Sequence, residues 1–503
     1  MMVGGATYRI IKHCGNDRAA RGSKPGQAPH CTTSKHRGNP LQNFIQRILL
    51  SAILLLPAAA SAQTHEYMLD NGLKLLVRED HRAPEVVSQV WYKVGGSYEI
   101  DGSTGVSHAL EHMMFKGTPT HPAGEFSRII AENGGEENAF TGADYTAYFQ
   151  TLEKSRLEIA LELEADRMRN LSLPADEFAK EIQVVKEERR WRTDDEPEAF
   201  TYETAMATAF QTSPYRQPVI GWMADLNHMT VDDVKRWYTR WYAPNNAVLI
   251  VAGDVDPDAV HKLVQKYFGK LPRGEAVTVE PRPEVPQLGL KRVVVKRPAE
   301  VPYLAMIYKT PVLTTALEDK NVEEWEPYAL EVLTGILDGG ASARFSSHLV
   351  RGKEIAAMVN TDYRLASRLD SVLAIEATPS AGRTVGELES AIRAEIEDLK
   401  NKPVDPSELA RVKAQVVSSD VYQRDSLFYQ ALLAGVLETV GLSWHVADEY
   451  VDKVKAITAE QVQAVAKKYL VDDRLTVAAL DPQPMDKQHR PHGPMPGGHD
   501  IAR

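Results

Sequence analysis

Cysteine is nearly absent from the 503-residue chain: its two copies, Cys14 and Cys31, both precede a hydrophobic leader. A body without thiols has no cysteine nucleophile, Cys-ligated zinc, disulfide framework or lipoprotein anchor. Positive charge is outweighed, 58 Lys/Arg standing against 69 Asp/Glu. The formal net charge is −11, but residues 1–62 hold eight Lys/Arg against Asp17 alone, so removing that +7 leaves −18 for residues 63–503. An acidic body repels phosphate backbones and anionic lipid, so no nucleic acid is expected as partner and cationic or neutral ligands are favoured. Long hydrophobic runs are missing too: Ile48 to Leu56 is well under the ~20 residues a spanning helix needs, and no stable membrane anchor is expected. What remains, 43% hydrophobic and 25% charged, is the composition of an ordinary globular protein with room for more than one core.

Arg47, the short apolar run and Ala60-Ser61-Ala62 have the order of a secretory signal with an A-x-A cleavage site. Cleavage near Ala62 and a periplasmic or secreted location are expected, with residues 1–46 an unstructured, unusually long polar extension. The mature chain, 63–503, divides at a Pro- and charge-rich stretch, 273–290, that has no periodicity and reads as a linker. The two sides, 63–272 and 291–482, repeat one another. Thr230 and Thr458 each open a helix that ends near an aromatic residue and is followed by an apolar strand, Ala247 to Asp254 in one copy and Leu475 to Leu480 in the other, at a constant offset of 228. The copies also begin alike, with strands at Val86–Val94 and Tyr303–Lys309. Two homologous α+β domains are expected, followed by a disordered tail, 483–503, whose His489, His492 and His499 could at most hold a metal loosely.

The chemistry concentrates in Thr104 to Gly117, read as one helix with Ser103 or Thr104 as N-cap and Gly117 as terminator. His108 and His112, four apart, project from one face close enough to share a metal ion, and Glu111 lies on that face. Two histidines with a carboxylate that is not a ligand suit metal-assisted hydrolysis: zinc lowers the pKa of a bound water and the carboxylate takes its proton. The bland alternative is a helix with solvated histidines, against which Val106, Leu110, Met113 and Met114 supply an apolar surround. A third ligand is expected from a helix running Pro174 to Trp191. Its apolar stripe, Phe178, Ile182, Val184 and Val185, carries Glu181 and Glu188 seven apart, whereas Glu187 points to the polar side. A carboxylate on a buried stripe is costly unless paired or bound to metal. Glu188 is therefore chosen as ligand, and Glu181 joins the catalytic set as the group that orients a ligating histidine.

His108-x-x-Glu111-His112 with Glu188 76 residues later (188 − 112) resembles the pitrilysin/insulinase zinc metallopeptidases, the inverzincins, and most closely their short two-domain bacterial and mitochondrial-processing-peptidase-like branch. The segment Gly134 to Tyr148, with Asn138-Ala139-Phe140-Thr141, is similar to the family's substrate strand, which implies an edge to which an extended peptide adds. The inactive-half motif has a counterpart in Leu337 to Met358. The resemblance implies a catalytic role for Arg351, but Met358 stands where the family has a Tyr, and a thioether cannot donate a hydrogen bond to an oxyanion. Tyr363 comes five residues too late to replace it. The family likeness further implies mainly antiparallel sheets flanked by helices, half of a clamshell, and a zinc endopeptidase acting on peptides inside a dimeric chamber. Its second chain is either a copy of this one or a related chain that brings Arg and Tyr. The alternatives are a partner-dependent or core-protein-like scaffold subunit and a periplasmic peptide- or metal-binding module.

Overall fold

The computed structural model describes residues 63–280 and 282–485. The leader, both cysteines and the tail histidines lie outside the described residues. Thr64 opens one compact unit built on two sheets. The first has six strands: β1 (Thr64–Met68), β2 (Lys74–Glu79), β3 (Glu85–Tyr92), β4 (Glu136–Thr141), β5 (Thr146–Glu153) and β6 (Ala247–Gly253), in the order β1-β2-β6-β3-β5-β4. The second has five: β7 (Lys291–Pro298), β8 (Tyr303–Thr310), β9 (Ala356–Tyr363), β10 (Ser371–Pro379) and β11 (Leu475–Gln483), in the order β7-β11-β8-β10-β9. Each sheet has one parallel pair, β2 with β6 and β7 with β11, among antiparallel neighbours. From β2 and β7 onward the two topologies coincide strand for strand, so the expected α+β duplication is the observed fold.

The helices that matter in the first half are α1 (Val106–Met113), α2 (Ala175–Arg189), α3 (Pro197–Ala209) and α4 (Val231–Trp241). Their counterparts are α5 (Trp325–Asp338), α6 (Pro406–Gln423), α7 (Leu427–Thr439) and α8 (Ala459–Tyr469). Thr230 and Thr458 open α4 and α8 with full capping boxes, the side-chain oxygen accepting from the backbone N–H three residues on.

Strands such as β6, buried at every position, need cover on both faces. One face of each sheet packs on its own helices. The other is covered by a helix lent from the opposite half. α7 lies on β3 and β6, with Leu427 and Ala431 against Trp91, Phe140, Phe149, Val248 and Ile250; α3 lies on β7, β8 and β11, with Ala205 and Ala209 against Tyr303, Ile307 and Leu480. The contact is close enough that a Cβ on Gly435 of α7 would sit 2.1 Å from Trp91 Cε2. Among the described residues, the 273–290 stretch carries no regular element, and its side chains tie it to its surroundings. Glu284 accepts from the backbone N–H groups of Gln211, Thr212 and Ser213 and pairs with Lys309 Nζ at 2.8 Å, and Arg282 donates to Glu99 O at 2.9 Å. β11 runs to Gln483, one residue into the expected tail.

Candidate active site

The helix that carries the two histidines is shorter than its sequence suggests. α1 begins at Val106, its N-cap is Gly105 at φ 85°, and it ends at Met113, before Gly117. The cap acceptor is neither Ser103 nor Thr104 but the buried carboxylate of Glu99, which takes Gly105 N–H at 2.7 Å and Ser107 N–H at 2.8 Å. Burial pushes Glu99 up to about 7, against those two hydrogen bonds. Thr104 instead gives its hydroxyl to Asp225 and receives Trp222 N–H. Gly105 and Gly221, both left-handed, pack backbone to backbone: a Cβ on Gly105 would lie 2.5 Å from Ile220 O, and one on Gly221 2.5 Å from Thr104 O.

α1 packs on α2, and three side chains converge. His108 Nε2 is 3.7 Å and His112 Nε2 3.4 Å from Glu188 Oε2, and one ligand atom from each of the three lies within 4.8 Å of the others. A tetrahedral ion with bonds of ~2.0–2.2 Å sets its ligand atoms ~3.3 Å apart, so the donor set fits zinc. Glu188 Oε1 is held by Arg192 at 3.1 Å, which leaves Oε2 for a metal. Burial drives His108 down to about 3, with the neighbouring His112 adding to it, so its nitrogen lone pair is free to bind. His112 lies at about 9: burial opposes its charge, but Glu181, Glu188 and Glu111 together outweigh it. Burial also opposes the Glu188 charge, yet His112, His108 and Arg192 hold it at about 2. Three carboxylates around one imidazole make a pocket that accommodates positive charge.

Glu111 is raised by burial, against a hydrogen bond from Thr141 and the charge of His112. Glu181 does not face the reacting side. It meets His112 Nδ1 at 3.3 Å and Lys116 Nζ at 2.5 Å, the place of a group that orients a ligand. On α2, Phe178, Ile182 and Val185 are buried as expected, but Val184 is 47% exposed: it lies two residues, about 200°, from Ile182 and so off the stripe. Glu187 is exposed and pairs with Arg190. Asn138 to Thr141 all lie on the edge strand β4, yet Ala139, Phe140 and Thr141 have buried side chains, so what they offer a peptide is the strand edge. Arg351 is not brought to this cluster. It is exposed in the second half and donates to Ala341 O.

Four residues escaped sequence reasoning: Glu99, Arg192, Lys116 and Arg189. Arg192, four after Glu188, had a legible helical spacing. Arg189, 3% exposed, forks onto Glu203 at 2.8 and 2.9 Å and gives Nη1 to Gly221 O at 2.9 Å, tying the residue after Glu188 to the seam at the start of α1.

The second half holds the same scaffold with different side chains. α5 packs on α8 and α6 as α1 packs on α4 and α2, and Tyr328-Ala329-Leu330-Glu331-Val332 stands where the first half has His108-Ala109-Leu110-Glu111-His112. At the same count from the start of the following helix, Val412 and Ser419 replace Glu181 and Glu188. Among the described residues, His108, His112 and Glu188 form the one group able to hold a metal.

The family model described as Insulinase (Peptidase family M16) matches residues 74–222, and that of the Peptidase M16 inactive domain matches residues 228–416. The zinc protease PqqE of Helicobacter pylori is 31% identical over 456 residues, 87% of this chain and 99% of that one. The uncharacterized zinc protease YmxG of Bacillus subtilis is 26% identical over 81% of this chain and 96% of its own length. A crystal structure of a protease from Helicobacter pylori matches with a TM-score of 0.78 at 30% identity, over 84% of this chain and 100% of that one. The periplasmic protease PqqL of Escherichia coli shares the fold at a TM-score of 0.69 and 19% identity, over 85% of this chain and 48% of that one.

Proposed function

The chain belongs to the M16 (insulinase) peptidase family, and from that premise we propose that it is a zinc metalloendopeptidase with 63–272 as its zinc-bearing domain and 291–482 as a homologous domain without metal. The observation that carries this is the convergence of His108, His112 and Glu188 within 4.8 Å, with Glu111 on the same helix as the two histidines. Zinc held there supplies Lewis acidity to water and to the scissile carbonyl. The rest falls to the chain. His108 and Glu188 present their lone pairs, and Glu181 holds His112 by its far nitrogen. Glu111 takes the proton of the attacking water and passes it to the leaving amine.

The peptide adds to β4. The two edge strands β4 and β9 differ at a matching donor. At β9, Thr361 N–H is taken at 2.9 Å by Asp338 from the end of α5, which closes that edge. At the matching position of β4, Ala139 N–H is taken at 2.8 Å by the side chain of its own neighbour Asn138, which a peptide displaces by rotating one torsion. Backbone pairing gives affinity with little dependence on sequence, suited to peptides or unfolded polypeptides.

Met358, with Arg351 held away in the same half, favours a dimer in which a second chain completes the oxyanion side: a related chain that brings Arg and Tyr, or a copy of this one if Arg351 alone suffices. The leader supports a periplasmic or secreted location, and PqqL of Escherichia coli, which shares the fold, is described as a periplasmic protease. Zinc content and cleavage of a quenched-fluorescent peptide library, compared with Glu111→Gln, test the reading. One zinc per chain with Glu111-dependent turnover is expected. Turnover that survives Glu111→Gln refutes the base, and zinc without turnover makes the chain a partner-dependent subunit.

A further inference from the structure

We propose that Thr141 is a positioning residue for the base: its hydroxyl holds one oxygen of Glu111 and leaves the other to take the proton. This rests on the peptidase reading above. Thr141 ends β4 with only 3% of its surface exposed, and its Oγ1 donates to Glu111 Oε2 at 2.5 Å. A buried hydroxyl already committed to a carboxylate is a support for that carboxylate rather than a substrate contact. The bond survives both states of the base. When Oε1 gains the proton of water, Oε2 becomes a carbonyl oxygen and still accepts. Glu111 therefore keeps its aim between the O–H bond it forms and the one it breaks as the proton leaves for the amine nitrogen and the C–N bond opens.

The second half supplies an internal control. Val90 pairs with Leu249 and Tyr148; Met306 pairs with Val477 and Ile375, and Val477 is the counterpart of Leu249 at the offset of 228. Two residues along, Thr146 matches Leu373, so their partners Thr141 and Tyr363 occupy the same place on the two edge strands. Tyr363 gives its hydroxyl to Pro311 O at 2.8 Å, and Glu331 Oε2 has no hydrogen-bond partner among the described residues. The threonine bond to the base occurs only in the half that carries the metal ligands. Since β4 is also the strand to which peptide adds, docking stiffens the strand and the carboxylate together.

The test uses the full chain with Thr141→Val, which keeps the shape and removes the hydroxyl, and Thr141→Ser, which keeps the hydroxyl. Thr141→Val is expected to lower kcat about tenfold to a hundredfold with KM and zinc stoichiometry unchanged, and Thr141→Ser to restore most of it. Peptide binding in a Glu111→Gln background should not change on adding Thr141→Val. A kcat within twofold of wild type, or a loss that falls on KM and is not rescued by serine, overturns the inference. A wild type that binds zinc without turnover is the partner-dependent subunit described above, and one that binds no zinc refutes the peptidase reading instead. The bond is then read in the infrared carboxylate band assigned to Glu111 by difference from Glu111→Gln. A shift of that band in Thr141→Val but not in Thr141→Ser supports the bond, and an unmoved band overturns it.

Discussion

Replacing Arg189 with Met should damage the fold and the metal centre together. The Arg189 side chain is 4% exposed and the Glu203 carboxylate 11%, so the fork between them is a buried ion pair. Asp194 stands 3.3 Å away, and Gly221 O accepts from the same guanidinium. Removing one partner of such a pair leaves uncompensated charge in a poor solvent, at a cost of about 3–5 kcal/mol. Replacing both partners with apolar groups of similar volume removes the charge and much of the cost, so Arg189→Met/Glu203→Met should lie within about 2 kcal/mol of wild type. The zinc effect has a different origin. Arg189 follows Glu188 and fixes Gly221, whose backbone seats Gly105 at the start of α1, so the single variant lets the helix carrying His108 and His112 shift against the one carrying Glu188. Denaturant midpoints of the zinc-free protein, followed by zinc titration, measure both effects. A single variant that loses less than about 1 kcal/mol, or a double variant no better than the single, would refute the buried-pair account. Unchanged zinc affinity in the single variant would refute the link to the site.

Glu181→Gln should weaken zinc about tenfold to a hundredfold, because an outer partner that fixes the ring of a ligating histidine contributes on that scale; chelator competition reads it, and an unchanged constant would show that Lys116, not His112, is the real partner of Glu181. Glu331 gives a pH signature in the other half. Burial raises it from the ordinary 4.5 to about 7, with Tyr450 hydroxyl donating to one oxygen. A folded-state pKa above the unfolded one means that the folded protein holds the proton more tightly, so wild type loses stability as pH rises from about 4.5 to about 7. Glu331→Gln does not titrate there and should be the more stable protein at pH 8, by up to about 3 kcal/mol, with the gap closing below pH 4.5. Unfolding midpoints of both proteins at pH 4 and pH 8 check this, and a gap that does not change with pH would refute it.

The parts legible in the sequence are those whose physics is local. The spacing of His108, Glu111 and His112 is one helical turn, and Glu181 and Glu188 are two turns apart, so one face follows from the period alone. The offset of 228 between the two capping boxes is legible because a cap and the strand after it form one short unit. Glu99 was not legible, because it caps a helix from outside, where Ser103 and Thr104 looked like the natural caps. The exchange of α3 and α7 was hidden for another reason. α3 meets the foreign sheet through Ala205 and Ala209, small residues that leave little imprint on a pattern read by hydrophobicity. The match between His108-Ala109-Leu110-Glu111-His112 and Tyr328-Ala329-Leu330-Glu331-Val332 escaped because insertions move its offset to 220 (328 − 108).

That match explains how one half can lack the metal-ligating donors and keep the fold. Binding zinc needs three donors at once, and Tyr328, Val332 and Ser419 stand in place of all three. The base is retained as Glu331, and its environment then decides its charge. Around Glu111 the imidazole of His112 supplies a positive neighbour, whereas at Glu331 a hydrogen bond from the Tyr450 hydroxyl opposes burial, and the carboxyl is pushed up to about 7. The second half thus keeps a buried carboxyl at the matching place without the three donors, and it also has work to do in the packing. α7 covers the sheet that ends in β4, and α3, which begins eight residues after Arg189 (197 − 189), covers the sheet of the second half. Each half closes a face of the other's sheet, so the second half covers the sheet whose edge strand β4 carries Thr141.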